Sequence, residues 1–205
     1  MFSDIVTTKN NEEKFIEIAS KLGVKKLYFL YEFDEYNKQE MHKKSRELHQ
    51  KIDLETGFIV NPKNMNKASQ YSKFLAAKSS DKDRFFIESK RIKLIYGFEE
   101  FHKRDYLHQR ASGLNHILCE LAKKNNVAIG FSYSLLFNKS AALTSMLMGR
   151  MMQNISLCQK YKVKTIIGSF SENPFEMRAH HDITILFATL GMGGKKINES
   201  LMFNL

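Results

Sequence analysis

The residues best suited to chemistry lie in one stretch, Asp105-Tyr106-Leu107-His108-Gln109-Arg110-Ala111-Ser112-Gly113-Leu114-Asn115-His116-Ile117-Leu118. Its pattern predicts a short strand over 106–108, then Arg110, then a Ser-Gly pair opening a helix capped by Ser112. Such a junction sets a cation beside backbone N–H groups that have no helical partner, a place for a phosphate. Arg110 would add a planar donor fork matched to phosphate oxygens, and Gly113 no side chain to obstruct them. The same spacing also suits an Arg110–carboxylate pair and a glycine that only satisfies a tight turn. Spacing alone does not choose between these readings.

A second chemistry, metal-assisted hydrolysis, would recruit His108, His116, His180 and His181 with nearby acids. The chain has seven histidines but none in its first strand, and no H-x-H or H-E-x-x-H. His42 and His49 fall on a helix that is polar nearly all round and read as solvated. Cys119 and Cys158 sit on apolar helical stripes without a C-x-x-C, as reduced core residues would. Gly191-Met192-Gly193-Gly194 follows a helix rather than a strand and reads as a terminating turn. Met146, Met148, Met151 and Met152 suit adaptable packing.

These residues need a frame. Apolar periodicity predicts strands over 4–7, 26–31, 56–60, 84–87, 93–96, 106–108, 127–131 and 164–168. It predicts helices over 12–22, 34–50, 64–77, 112–126, 140–160, 182–190 and 195–203. Alternation of this kind means parallel βα units, closed into a barrel or left as a doubly wound open sheet. With only two prolines and no Ser/Gly-rich linker, residues 1–205 are expected to form a single α/β domain. If 106–108 is a barrel strand, Arg110 stands just past its carboxyl end, where such folds place their sites.

The formal net charge of +10 favours polyanion partners, although a Lys/Asn/Ile-rich composition produces basicity by itself. Lys90, Arg91, Lys103, Arg104, Arg150, Lys160, Lys162, Arg178, Lys195 and Lys196 each read singly as a solvated charge. Together they would make a patch able to track an RNA backbone by shape and phosphate contact. Asp4, Glu12, Glu13 and Glu17 exclude a signal peptide, and no apolar run approaches a membrane span. The expectation is a soluble cytoplasmic protein.

The opening stretch resembles the signature D-x-x-H-x-R-x-S-G-L-N-x-x-L of the ribonuclease P protein component 3 family, the thirty-kilodalton subunit. Val127-Ala128-Ile129-Gly130-Phe131-Ser132 resembles the family's V-A-I-G-F-S strand. Leu157-Cys158 with Lys160-Tyr161-Lys162 resembles L-C-R-K-Y-K, and Arg178 through Gly191-Met192 resembles R-x-x-x-D-(L/I)…L-G-M. The likeness extends along the chain but is strong only from Asp105 onward. Gln159 departs from the family's frequent Arg, and Ala179-His180-His181 from a Ser-Pro-containing stretch.

The resemblance implies a TIM-like α/β barrel related to the polymerase-and-histidinol-phosphatase superfamily, lacking its metal site. It implies an RNA-binding protein subunit of ribonuclease P, which removes 5′ leaders from precursor tRNA. The RNA would supply the active site and its magnesium, leaving the protein with no catalytic residue and no cofactor. Implied partners are ribonuclease P RNA, a small RRM-like protein subunit, the other holoenzyme proteins and precursor tRNA. Phosphate contact then falls first to Arg110, followed by Arg91, Lys124, Arg178 and Lys196, with His116 as a polar contact. A metal-dependent phosphoesterase on the same barrel is the rival reading. An incidentally basic scaffold is the third.

Overall fold

The computed structural model describes residues 2–35 and 52–204. Seven short apolar runs form the strands: β1 (Ser3–Thr7), β2 (Lys26–Glu32), β3 (Asp53–Ile59), β4 (Leu75–Lys78), β5 (Leu94–Tyr96), β6 (Ala128–Ser132) and β7 (Thr165–Gly168). All pairs are parallel and the strands neighbour one another in chain order. The sheet closes on itself just past β7. The Phe170 N–H donates to the Ile5 carbonyl at 2.7 Å, and the Thr7 N–H to that of Ser171 at 3.0 Å. Asp4 reinforces this seam, accepting from Ser169 N–H and from the Tyr133 hydroxyl, each at 2.7 Å. The TIM-like barrel is therefore present, with seven strands where eight were expected, and the open-sheet alternative is excluded.

Period-two alternation sorts the strand side chains into two layers. Ile5, Tyr28, Leu30, Leu94 and Ile166 fill the interior, whereas Val6, Leu27, Phe29, Ile95 and Ile167 face the helices. Both ends of the interior are plugged. Phe203 packs on Tyr28 at 5.1 Å near the amino ends of the strands. At the carboxyl ends Phe170 stacks on Tyr96 at 4.4 Å and 13°. Phe170 adopts φ +52, an uncommon conformation for an aromatic residue, at the turn that carries its ring across the barrel.

The surrounding helices are α1 (Glu12–Lys21), α2 (Met65–Ala68), α3 (Asp83–Glu88), α4 (His116–Asn125), α5 (Ala141–Tyr161), α6 (His180–Thr189) and α7 (Gly194–Leu201). Among the described residues no helix is long and apolar enough to cross a membrane.

Three expectations are corrected. Residues 84–87 form most of α3 rather than a strand. Asp83 accepts from the Ser80 N–H at 2.9 Å and opens the helix, so Phe86 and Ile87 point inward while Phe85 stays exposed. The helix expected over 64–77 stops at Ala68, and its second half is β4. Helix propensity at Leu75-Ala76-Ala77 yields here to pairing with β3 and β5. Gly57 makes room for that strand, since a Cβ there would lie 2.3 Å from the Phe74 ring. Residues 106–108 are an exposed loop, with Leu107 90 % exposed, so they cannot be a barrel strand. Of the helix expected over 34–50, residues 36–50 lie outside the described residues, as do His42 and His49.

Candidate nucleic-acid interface

Arg110 is carried on the long connection from β5 to β6, and that connection has a buried frame. Gly97 and Gly113 adopt φ +82 and +80, and a Cβ on Gly113 would lie 2.5 Å from the Phe98 carbonyl oxygen. Gly113 is thus required for the loop to fold back on itself, which is the tight-turn reading rather than room for a phosphate. Between them the Tyr106 N–H donates to the Gln109 carbonyl at 2.9 Å, making the exposed tip.

Beneath the tip lies Arg150, fully buried on α5. Its NH1 donates to the carbonyls of Glu99 and His102, both at 2.7 Å, and its Nε to Asp105 Oδ1 at 2.8 Å. Asp105 Oδ1 also accepts the Ala111 N–H at 2.9 Å, immediately beside Arg110. Burial opposes ionisation of Asp105, but these bonds and the charges of Arg150 and Arg110 hold its carboxyl below the ordinary value. One turn along α5, Asn154 Nδ2 donates to Glu99 Oε1 at 2.7 Å and to the Ser112 carbonyl at 2.9 Å. Arg150 belongs to this internal frame and not to a surface patch, contrary to expectation.

Glu99 is the acid at the centre of that frame. Burial pushes its carboxyl up to about 7, against the lowering effect of the Asn154 hydrogen bond. The folded chain therefore holds a proton there that the unfolded chain releases near the ordinary value of 4.5. Stability from this group is complete below that value and is lost as pH rises through about 7. Asp4, pushed up to about 6 by burial, has the same sign over a lower window. Glu99→Gln is expected to flatten the decline in urea midpoint between about pH 5.5 and 7.5 while leaving the Asp4 contribution. An equal slope in both proteins would remove Glu99 as the titrating group.

The six residues expected to contact RNA fall into two groups. Arg110, His116 and Arg178 follow β5 or β7 and lie toward the carboxyl ends of the strands. His116 opens α4, whose cap is Asn115 rather than Ser112: the Asn115 side chain accepts the Leu118 N–H at 2.9 Å. Ser112 is buried before the helix begins. Arg110 is exposed, and its guanidinium crosses α5 at Gly149. Arg178 is half-buried and folded back, NH1 donating to the Phe175 and Met177 carbonyls at 3.0 and 2.8 Å, with its Cζ 4.3 Å from the Phe137 ring centroid.

Arg91, Lys124 and Lys196 lie at the opposite, amino end. Arg91 precedes β5, and Lys124 sits in the last turn of α4 before β6. Lys196 pairs with Glu199 at 3.5 Å. Burial, followed by the charges of Lys93 and Lys196, lowers the neighbouring Lys164 ammonium, so these lysines share one region. The ordering was readable in principle, because in parallel βα units residues before a strand and residues after it occupy opposite ends.

The barrel mouth itself does not suit a polyanion. A cavity of about 460 Å³ there is lined by Glu32, Glu100, Glu172 and Glu176 against only Lys78 and Lys139. A phosphate approaching this end would be repelled from the mouth and would meet cations only around its rim. The histidines of the metal reading are not brought together either. His108 is on the exposed tip, whereas His180 packs edge-on against Phe2 at 5.3 Å. Among the described residues no three His, Cys, Asp or Glu side chains converge as a metal would need.

Sequence reasoning missed Glu99, Asn154 and Gly149. The available signal was on α5: residues 141–159 contain a single charge, Arg150, preceded by glycine and followed four residues on by asparagine. A lone cation in an otherwise uncharged helix marks a buried charge held by hydrogen bonds.

Comparison with known proteins bears on this same region. Residues 104–204 match the family model described as RNase P subunit p30. The chain is 34 % identical over 91 residues to ribonuclease P protein component 3 of Thermococcus kodakarensis, covering 44 % of this chain and 41 % of that protein. It is 27 % identical over 121 residues to the protein of the same name from Methanocaldococcus jannaschii, covering 56 % and 52 %. The chain thus spans about half the length of the curated relatives it matches. In three dimensions it superposes on a chain in the cryo-EM structure of archaeal ribonuclease P with mature tRNA. The TM-score is 0.78 at 18 % identity, over 96 % of this chain and 87 % of that one. A 5-methylcytosine deaminase from Klebsiella pneumoniae shares the fold more distantly, with a TM-score of 0.51 at 10 % identity, over 92 % and 62 % of the two chains.

Proposed function

We propose that this chain, whose residues 104–204 match the family model described as RNase P subunit p30, is an RNA-binding protein subunit of ribonuclease P. In this role it supports RNA-catalysed removal of 5′ leaders from precursor tRNA. The protein contributes cations and shape, and the RNA contributes the active site and its magnesium. The observation that carries this reading is the braced rim. Arg110, exposed and inside the matched segment, stands on a loop tied down by a fully buried arginine, six residues before α4, which Asn115 caps. A cation held in place beside folded RNA lowers phosphate repulsion without chemistry of its own. Arg91, Lys124 and Lys196 supply a second cationic region at the other end of the barrel, and His116 and Arg178 flank the first.

A protein partner is part of the same reading. Outside the buried Arg150, residues 141–159 of α5 present no charge, and Leu143 and Met152 are exposed on that helix. An uncharged apolar face offers nothing to a polyanion, and two copies of a chain of charge +10 repel each other. We assign it to the small RRM-like protein subunit.

Reconstituted cleavage of precursor tRNA tests the proposal, using the matching RNA and partner proteins at modest magnesium. Omitting this chain is expected to reduce cleavage, and adding it back to restore it. Equal cleavage without the chain would sink the proposal.

A further inference from the structure

Among the described residues Gly149 is the one glycine inside a long helix, eight residues past the start of α5. Its φ is not positive, so the backbone does not call for glycine. Glycine at such a position weakens a helix relative to alanine, so something else must account for it. The neighbour that accounts for it is Arg110. A Cβ at Gly149 would lie 2.7 Å from Arg110 Nε, 3.0 Å from Cζ and 3.2 Å from one terminal nitrogen. All three of the nearest atoms belong to the guanidinium, which therefore lies broadside across the helix backbone at the only spot where no side chain rises.

The next residue completes the arrangement. Arg150 ties Asp105, and Asp105 holds the Ala111 N–H, so the backbone on the far side of Arg110 is fixed from the same turn of α5. Adjacent residues thus do separate work, one anchoring the loop and the other seating the side chain. No protein acceptor takes the Arg110 N–H groups among the described residues, and the charge of Asp105 acts on Arg110 only at longer range.

We propose that Gly149 is a positioning residue for Arg110: it provides the seat that holds the guanidinium in one orientation with its donors free for a phosphate of the RNA. This inference rests on the reading of Arg110 as a phosphate contact. A long side chain that is already ordered loses less freedom on binding, so the seat strengthens the contact without touching the ligand.

The test uses the full chain with ribonuclease P RNA as the probe. Gly149→Ala is expected to keep or raise Tm, because alanine favours the helix and the displaced group is the far end of a flexible side chain. Its RNA affinity is expected to fall by about the same factor as for Arg110→Ala, ~10-fold for a charge-assisted hydrogen-bonded contact. The double variant is expected to bind no more weakly than Arg110→Ala alone, since both remove one interaction. Arg110→Lys, which keeps the charge but cannot lie flat in the seat, should match Gly149→Ala and be insensitive to it. In the free protein, 15N relaxation of the Arg110 Nε–H should show an ordered group in the wild type and a mobile one in Gly149→Ala. Wild-type affinity in Gly149→Ala, with Arg110→Ala weakened, overturns the seat and leaves the Arg110 contact standing. Wild-type affinity in Arg110→Ala removes the contact and the inference with it. An equally mobile Nε–H in both proteins overturns the seat regardless of RNA.

Discussion

Arg150→Ala is expected to destabilise the fold by about 3–5 kcal/mol, the range for removing one partner of a buried charged network. Arg150 is wholly enclosed, and three of its hydrogen bonds are 2.7–2.8 Å long. Truncation would leave the carbonyls of Glu99 and His102 buried without donors, and Asp105 without its cation. It would also open a cavity between α5 and the loop. Each lost hydrogen bond to a charged group is costly because water cannot replace it. A small domain has about 5–15 kcal/mol in total, so the loss is a large fraction. Arg150→Lys should recover only part of it, because an ammonium cannot reproduce the fork that reaches two carbonyls and a carboxylate. Urea unfolding measures both variants. A change below about 1 kcal/mol for the alanine variant, in the range of surface sites, would show that the frame does not hold the loop.

Arg110→Ala is expected to do the opposite: leave stability nearly unchanged and weaken RNA binding. The side chain is exposed and makes no hydrogen bond among the described residues, so little native energy is lost. One phosphate contact fewer should lower the slope of log affinity against log salt by about one unit and reduce affinity ~10-fold at moderate salt. Arg178→Ala should do less at the same end, because NH1 of Arg178 is already committed to two carbonyls. The measurement is a salt series of ribonuclease P RNA binding, paired with cleavage in the reconstituted enzyme. An unchanged slope for Arg110→Ala would take that residue out of the interface. The buried Arg150 and the exposed Arg110 thus separate folding from binding within one loop. Sequence reading gives both a phosphate-facing role.

Local pattern by itself determined most of the elements here. The apolar stripe of α4, the extent of α5 and the β-branched and apolar runs of β1, β2, β6 and β7 are read within a few residues of where they lie. Each depends on near neighbours in the chain, so periodicity suffices. The signature from Asp105 onward likewise located the loop that carries Arg110 and the family whose model residues 104–204 match. What failed depended on distant partners. Residues 106–108 have a strand's composition but no neighbouring strand to pair with, so their apolar side chains stay in solvent. Leu75-Ala76-Ala77 has a helix's composition, yet it pairs between β3 and β5. The sorting of five cations and His116 onto two ends follows from parallel βα order, but the acidic mouth beside the upper group required closure of the barrel. Tertiary structure alone decided which groups enclose Arg150 and that Gly149 lies under Arg110. The lone charge of α5 marks Arg150 as internal, but its partners and a contact across 39 positions of chain are properties of packing that no local propensity encodes.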